Sequence, residues 1–345
     1  MKKTRVLVVD DSAFSRQTLR RMLDERADIE VTAVAFDGLD AIVKTLKYQP
    51  DMITLDLMMP NMDGFSFLRW LSTHRPIPVI VVSSLGDEKT LFRALEMGAM
   101  DFIVKPTNRA SDKLNRIKED LYKKIDSIKT ASTLNLKRNI EHLKLARPAE
   151  KLTRRKKIFD AVLIGSSTGG PQAIQFILKN LPASFNLPIL VSQHMPAGFT
   201  KTFAERLNSL VPFKVKEAEE AEPVLPGHVY ISPGGRHMSL KRSGSSITIG
   251  LLPPSDDDKY TPSVDKLFES ASEIYKNRAI GVILTGMGND GLQGAKKLSD
   301  RGGYIIAESE ESAVVFGMPR EVIKAGLAKE IVKLEDIPSR IINLY

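Results

Sequence analysis

Short apolar runs alternate with segments of helix length along most of the sequence, and this alternation constrains the fold more than any other feature. The first half contains five such runs, at residues 5–9, 30–35, 52–55, 79–82 and 101–104. Strands separated by helices are typical of parallel sheets, and such strands are apolar nearly throughout because both faces of the sheet are covered. The pattern predicts an α/β fold with a five-stranded parallel sheet and helices on both faces.

The second half of the chain repeats the alternation with six apolar runs, at residues 161–164, 189–191, 228–231, 247–251, 280–284 and 304–307. Intervening segments such as 199–207 and 265–275 have the length of helices. We therefore expect a second doubly wound, mainly parallel α/β sheet. A chain of 345 residues is long enough for two domains with separate cores, and we place these domains at residues 4–125 and 158–345.

Composition excludes several kinds of chemistry and location. The chain contains no cysteine, which rules out disulfides, thiolate catalysis and cysteine-bound metal. No apolar run approaches the ~18 residues of a membrane span. The apolar run near the basic N-terminus is cut short by Asp10 and Asp11, so it does not fit a secretory signal. We expect a cytoplasmic protein without membrane insertion.

The formal net charge of +8 belongs to one segment of the chain. Residues 107–157 contain 16 Lys and Arg against 6 Asp and Glu, so their net charge of +10 leaves the remaining chain at −2. The segment begins with apolar residues at helical spacing and ends in Arg154–Lys157. We interpret it as a solvated helix followed by a basic linker over residues 126–157. Binding to an acidic partner surface is the alternative.

Polar residues follow the predicted strands of the first half at the points where those strands end. They are Asp10, Asp11, Asp56, Ser83 and Lys105. The carboxyl ends of parallel strands meet at one edge of a sheet, so the three acids are expected to converge there. Converging carboxylates repel one another unless a cation lies among them, and oxygen ligands suit Mg²⁺. Taken singly, each acid also fits a helix cap or a turn.

Residues 8–12, 55–64 and 104–106 resemble the receiver domain of two-component response regulators. The resemblance covers residues 4–125 and implies a flavodoxin-like (βα)5 fold. It implies that Asp56 accepts a phosphoryl group and that Asp10, Asp11, Asp56 and the Met58 carbonyl surround Mg²⁺. It also implies that Ser83 senses phosphorylation by hydrogen bonding and that Lys105 pairs with the phosphate. Metal and ammonium charge beside a transferring phosphoryl group make electrostatic sense.

A loop of small residues, Gly165–Gly170, follows the first predicted strand of the second half and precedes a helix with Pro171 in its first turn. Taken alone, this loop fits a serine nucleophile, a phosphate cradle or a helix cap. Later strands lead to His194 and Asp290. Serine, histidine and aspartate therefore arrive separately at one sheet edge, as a nucleophile, a base and an orienting acid require.

Each catalytic candidate has an alternative. His194 could be structural, and His237 is its rival as the base, although His237 also fits a turn. Asp290 lies in a glycine-rich loop, where a turn or calcium role is the other interpretation. That loop carries too few carboxylates to enclose a hard metal.

Six further segments closely resemble the catalytic domain of the chemotaxis protein-glutamate methylesterase family. They are residues 165–170, 193–196, 224–228, 262–265, 284–291 and 315–320. The family's nucleophile is the serine before Thr-Gly-Gly, which is Ser167 here, and the family usually has alanine where this chain has Ser166. The resemblance implies that Ser167, His194 and Asp290 form a triad. That triad would hydrolyse glutamate methyl esters to glutamate and methanol, and would deamidate selected glutamines.

The same resemblance implies the partners and cofactors. Methyl-accepting chemotaxis receptors are the expected substrate, and a chemotaxis histidine kinase is the expected phosphodonor. Mg²⁺ is expected for receiver phosphorylation and no cofactor for the esterase.

Two other classes of function fit the sequence less well. A DNA-binding response regulator would carry a small output domain with a recognition helix, whereas this half alternates strands and helices over residues 158–345. A nucleotide-binding module would need the Gly-x-Gly-x-x-Gly spacing or a Walker lysine, and residues 165–170 have neither. We therefore expect no nucleic-acid partner.

Overall fold

The computed structural model describes residues 3–83, 88–105, 111–129 and 159–345, together with residues 131, 135, 138 and 141. The chain forms two compact units that divide between Ile140 and Glu141. Most of the segment interpreted as a basic linker, residues 126–157, lies outside the described residues. None of the helices in the described ranges is long and apolar enough to cross a membrane.

The first unit contains the predicted five-stranded parallel sheet, in the order β2-β1-β3-β4-β5. Its strands are β1 Thr4–Val9, β2 Ile29–Ala35, β3 Met52–Asp56, β4 Val79–Ser83 and β5 Asp101–Val104. Its helices are α1 Ala13–Asp24, α2 Gly38–Tyr48, α3 Gly64–His74, α4 Glu88–Glu96 and α5 Ser111–Lys129. The α/β prediction for this half is confirmed, and every residue of β3 is buried, as a central parallel strand requires.

The second unit contains a seven-stranded parallel sheet in the order β14-β13-β12-β6-β7-β9-β8. Its strands are β6 Ala161–Ser166, β7 Ile189–Gln193, β8 Lys214–Glu217, β9 His228–Ile231, β12 Ala279–Ile283, β13 Tyr304–Glu308 and β14 Glu330–Val332. Its helices are α6 Gly170–Asn180, α7 Phe199–Leu210, α8 Val264–Tyr275, α9 Leu292–Asp300, α10 Met318–Lys324 and α11 Ile337–Leu344. The predicted parallel α/β fold is confirmed.

The apolar run at residues 247–251 does not join this sheet. It lies in an antiparallel hairpin formed by β10 His237–Ser243 and β11 Ser246–Leu252. A short apolar run fits either arrangement, because its periodicity does not specify which strand it pairs with. The sequence pattern did not predict the edge strands β8 and β14, which have three or four residues. It also did not predict β10, and His237 begins this strand in place of the turn considered for it.

Helices α8 and α9 approach each other closely, and this contact matters for the site described below. A Cβ at Gly294 in α9 would lie 2.6 Å from the Phe268 Cβ and 2.9 Å from the Asp265 carbonyl oxygen in α8. Only glycine allows this approach. The close packing brings the N-terminal turns of both helices to the loop that carries Asp290.

Candidate active site

Strands β6 and β7 bring Ser167 and His194 to the same edge of the sheet. Their register pairs Gly165 with Ser192 and Ser166 with Gln193. Ser166 and Gln193 are the last pair in this register. Ser167 and His194 each follow that pair by one residue, so they lie next to each other at the ends of neighbouring strands. The His194 backbone N–H donates to the Ser166 carbonyl at 3.1 Å.

The two adjacent serines have different environments. Ser166 is 0% exposed, and its hydroxyl donates to Gln193 Oε1 at 2.7 Å. Ser167 is half-buried. It lies two residues before Gly169, whose φ of 79° is favourable for glycine and which caps the start of α6. The hydroxyl of Ser166 is thus engaged inside the protein, whereas Ser167 lies where the strand opens into the loop.

His194 and Asp290 contact each other directly. The distance from His194 Nε2 to Asp290 Oδ2 is 2.7 Å, and both side chains are largely buried. The ring of Tyr260 stacks on the imidazole with centroids 4.3 Å apart and planes 7° apart. Within the described part of the chain, His194 Nδ1 is buried and has no hydrogen-bond partner. One ring nitrogen is therefore held by a carboxylate while the other remains available.

The Asp290 carboxylate is held by the N-terminal turn of α8. Besides His194, the groups that donate to it are Ser263 Oγ at 2.9 Å, Val264 N–H at 2.7 Å, Asp265 N–H at 3.0 Å and Gly291 N–H at 3.1 Å. Burial would raise the pKa of Asp290, but the hydrogen bond and charge of His194 and these N–H groups lower it to about 2. The carboxylate is therefore ionised and fixed in place at neutral pH.

Asp265 is a second acid beside this site, and no role was predicted for it from the sequence. Its Oδ1 accepts from the Gly291 N–H at 2.9 Å and from the Gly294 N–H at 2.7 Å, at the start of α9. Burial and the neighbouring Asp290 charge raise the pKa of Asp265 to about 7. Asp265 ties α8 to the loop that presents Asp290. Its position within residues 262–265, which match the family pattern, was the available signal.

His237 is engaged at both ring nitrogens. Its Nε2 lies 3.0 Å from Asp258 Oδ2, and its Nδ1 accepts from the Ser263 N–H at 3.1 Å. Burial and the charge of Lys266 lower the pKa of His237. The residue lies in β10 and is fully buried. These contacts give it a structural role in holding the Ser263 turn, and they leave it without a free nitrogen.

Thr285 and Glu308 form a buried network behind the serine loop. The Thr285 carbonyl accepts from the Ser167 N–H at 3.0 Å, and its Oγ1 donates to the Thr168 carbonyl at 2.9 Å. Its own N–H donates to Glu308 Oε2 at 2.8 Å. Glu308 is fully buried, and burial raises its pKa to about 7 despite hydrogen bonds from Thr285 and Ser312. Nothing in the sequence pattern identified this glutamate.

The acidic residues of the first unit also come together. Val9 pairs with Leu55 in the register of β1 and β3, so Asp10 and Asp56 lie side by side. One carboxylate oxygen from each of Asp10, Asp11 and Asp56 lies within 4.8 Å of the others. Lys105 Nζ lies 2.6 Å from Asp56 Oδ2 and 3.2 Å from Asp10 Oδ1.

This acidic cluster fits a hard cation. Asp10 Oδ2 is buried and has no hydrogen-bond partner among the described residues. Burial and the Asp56 charge raise the pKa of Asp10 to about 6, and burial raises the pKa of Asp56. A bound cation would relieve both penalties, and an all-oxygen donor set suits Mg²⁺.

The structure describes Met58 and Ser83, the two other residues expected at the phosphorylation site, in less detail. The Met58 backbone N–H lies 3.3 Å from Asp56 Oδ1, and the residue is 64% exposed. Ser83 ends β4, and its side chain lies outside the described part of the structure.

The fold and the two clusters together define a class of protein. A five-stranded parallel unit with an acidic cluster and a lysine at its edge is joined to a larger α/β unit with a serine, histidine and aspartate at its own edge. This is a response regulator with an enzymatic output unit. Family models agree: residues 6–116 match the response regulator receiver domain, and residues 162–341 match the CheB methylesterase. The chain belongs to the CheB methylesterase family and is a receiver-regulated enzyme of chemotactic adaptation.

Individual relatives cover nearly the whole chain. The protein-glutamate methylesterase/protein-glutamine glutaminase 3 of Geobacter sulfurreducens is 43% identical, covering 99% of this chain and 98% of the relative. The protein-glutamate methylesterase/protein-glutamine glutaminase of Thermotoga maritima is also 43% identical, covering 99% of this chain and 98% of the relative. The crystal structure of the Thermotoga maritima CheB methylesterase catalytic domain is 47% identical, covers 54% of this chain and 99% of that one, and superposes with a TM-score of 0.53. The family resemblance inferred from the motifs is confirmed.

Proposed function

We propose that this protein hydrolyses glutamate methyl esters on chemotaxis receptors and deamidates selected receptor glutamines, with Ser167 as nucleophile, His194 as base and Asp290 as orienting acid. The proposal rests mainly on the hydrogen bonding of the His194 imidazole. One of its nitrogens is bonded to the Asp290 carboxylate and the other is unpartnered within the described residues. The strand register supports Ser167 as the partner of that free nitrogen.

The proposed reaction is an acyl transfer in two stages. Ser167 Oγ attacks the ester carbonyl carbon and gives its proton to His194 Nδ1. The tetrahedral intermediate then breaks its bond to the methoxy oxygen, which takes the proton from His194 and leaves as methanol. Water attacks the resulting acyl-serine with His194 again as base, which releases glutamate and restores Ser167.

Glutamine deamidation follows the same path with a different leaving group. The bond to the amide nitrogen breaks in the first stage, and protonation by His194 releases ammonia. Ionised Asp290 stabilises the imidazolium that forms in both reactions. The buried Nε2 contact supports this role, because an ion pair shielded from water is stronger than an exposed one. The esterase chemistry needs no cofactor.

The receiver unit is proposed to control this activity through phosphorylation of Asp56 by a chemotaxis histidine kinase. Mg²⁺, when bound, neutralises the charge of the transferring phosphoryl group. Asp10, Asp11, Asp56 and the Met58 carbonyl would hold the ion, Lys105 would pair with the phosphate, and Ser83 would sense it. We assign residues 4–125 and 158–345 to the two activities, and we place the protein in the cytoplasm, without nucleic-acid binding.

A methanol-release assay tests the proposed function. Methylated receptor membranes are incubated with the full-length protein, with and without a phosphodonor. We expect Ser167→Ala to lower kcat by at least ~10³-fold. Ser166→Ala, the matched control, should stay within about tenfold of the parent protein, since it loses one hydrogen bond. The reverse order would assign the nucleophile to Ser166, and activity close to that of the parent protein in both variants would contradict a serine mechanism.

A further inference from the structure

The side chain of Gln193 connects the two segments that carry Ser167 and His194. Its Nε2 donates to the Ser167 carbonyl at 2.9 Å and to the His194 carbonyl at 3.0 Å. Its Oε1 accepts from Ser166 Oγ at 2.7 Å. Gln193 is 2% exposed. Both amide hydrogens and the amide oxygen therefore have partners inside the protein.

Only one orientation of this amide satisfies its neighbours. The carbonyl oxygens of Ser167 and His194 can only accept hydrogen bonds, so the group facing both must be the NH₂. The amide oxygen then faces Ser166, whose hydroxyl donates to it. Rotating the amide by 180° would place its oxygen against two carbonyl oxygens. The hydroxyl of Ser166 thus reinforces the productive orientation.

The space around this amide is filled. A Cβ at Gly170 would lie 2.0 Å from Gln193 Oε1 and 2.7 Å from Ser166 Oγ. The start of α6 therefore packs directly onto the hydrogen bond between Ser166 and Gln193. The Gln193 side chain consequently has little freedom to move, and the two carbonyls that it holds are fixed relative to each other.

We propose that Gln193, oriented by Ser166, is a positioning residue that fixes the Ser167 hydroxyl at the distance from His194 that proton transfer needs. The inference rests on the proposed function, because it takes Ser167 and His194 as nucleophile and base. Gln193 acts through the backbone of those residues and does not touch the substrate. An error of about 1 Å in the placement of reacting groups costs up to roughly 10²-fold in rate.

The test measures kcat and KM for methanol release by the full-length protein and its variants. Gln193→Met keeps the length of the side chain but removes both donors. We expect kcat to fall ten- to a hundredfold while KM stays within about threefold, because transition-state geometry is lost and substrate binding is not. Gln193→Asn is the second variant, for use if Gln193→Met does not fold. Its amide is one methylene too short to reach both carbonyls, so we expect the same kcat loss.

A double-mutant cycle separates positioning from general destabilisation. Ser166→Ala should lower kcat three- to tenfold in the parent protein and have no further effect in Gln193→Met, because Ser166 acts only through that amide. Ser239→Ala is the matched control. It removes another buried hydroxyl that donates to a carbonyl, that of Gly250 at 3.1 Å, and should leave kcat within about twofold of the parent value.

Three results would overturn the inference. The first is a kcat of Gln193→Met within threefold of the parent value. The second is an equal effect of Ser166→Ala in both backgrounds, and the third is a kcat loss in Ser239→Ala as large as that in Ser166→Ala. Ser167→Ala is assayed alongside. Activity retained there overturns the proposed triad and this inference with it, whereas loss there with retention in Gln193→Met overturns the inference alone.

Discussion

Replacing Asp290 with asparagine tests the arrangement of the catalytic groups most directly. Five groups contact the Asp290 carboxylate, and each of them donates a hydrogen bond to it. An asparagine must turn its NH₂ toward some of these donors. If the NH₂ faces the Oδ2 position, His194 Nε2 must accept a hydrogen bond, so its proton moves to Nδ1. Nδ1 is the nitrogen that has to take the proton of Ser167.

The opposite orientation of the amide is also unfavourable. The NH₂ then faces the N–H groups of Asp265 and Gly291. The Asp265 N–H loses its acceptor, at a cost of roughly 1 to 3 kcal/mol, whereas the Gly291 N–H keeps Asp265 Oδ1 as an acceptor at 2.9 Å. In both orientations the charge that stabilises the imidazolium is gone. We expect kcat to fall about 10³- to 10⁴-fold, equivalent to about 4 to 5.5 kcal/mol of transition-state stabilisation.

The assay is methanol release at neutral pH, with Asp265→Asn as the matched control. The raised pKa of Asp265 means that its carboxyl is substantially protonated near neutral pH, so a neutral amide resembles it. Its oxygen can still accept from Gly291 and Gly294. We expect this variant to keep kcat within about tenfold of the parent value. The assignment of Asp290 as the orienting acid is refuted if Asp290→Asn keeps more than a tenth of the parent kcat, or if both variants lose activity equally.

The remaining predictions concern phosphorylation and pH. Asp56→Asn and chelation of Mg²⁺ should each abolish labelling by a small phosphodonor. The control variant Asp63→Asn, at the N-cap of α3, should be labelled normally. Labelling of Asp56→Asn would reject Asp56 as the phosphorylation site. Because burial raises the pKa of Glu308 from 4.5 to about 7, this one carboxyl should lower the stability of the native protein by up to roughly 3 kcal/mol as the pH rises from about 4.5 to about 7. In denaturant unfolding, the free energy of unfolding of Glu308→Gln relative to that of the parent protein should increase across this pH window. A difference that stays constant with pH would contradict the raised pKa of Glu308.

The sequence by itself determined the fold class and which residues reach the sheet edges. Parallel strands covered on both faces must be apolar, so runs such as Val6–Val9 and Ala161–Ile164 identify them locally. The polar residue after each run then marks a strand end. Local pattern was insufficient for residues 247–251, because the choice between a sheet strand and a hairpin strand depends on the pairing partner.

The tertiary structure alone decided how these residues are connected. The contacts of Asp290 with His194 and of Gln193 with Ser166 join residues 96 and 27 positions apart. Such contacts depend on the register of β6 with β7 and on the packing of α8 against α9, which no local pattern encodes. For the same reason the sequence could not show that His237 has both nitrogens engaged, that Ser166 is buried against an amide, or that Glu308 lies behind the serine loop. Hydrogen bonds between distant segments form only after the strands have paired in the sheet, so the role of a polar residue is fixed by the completed fold.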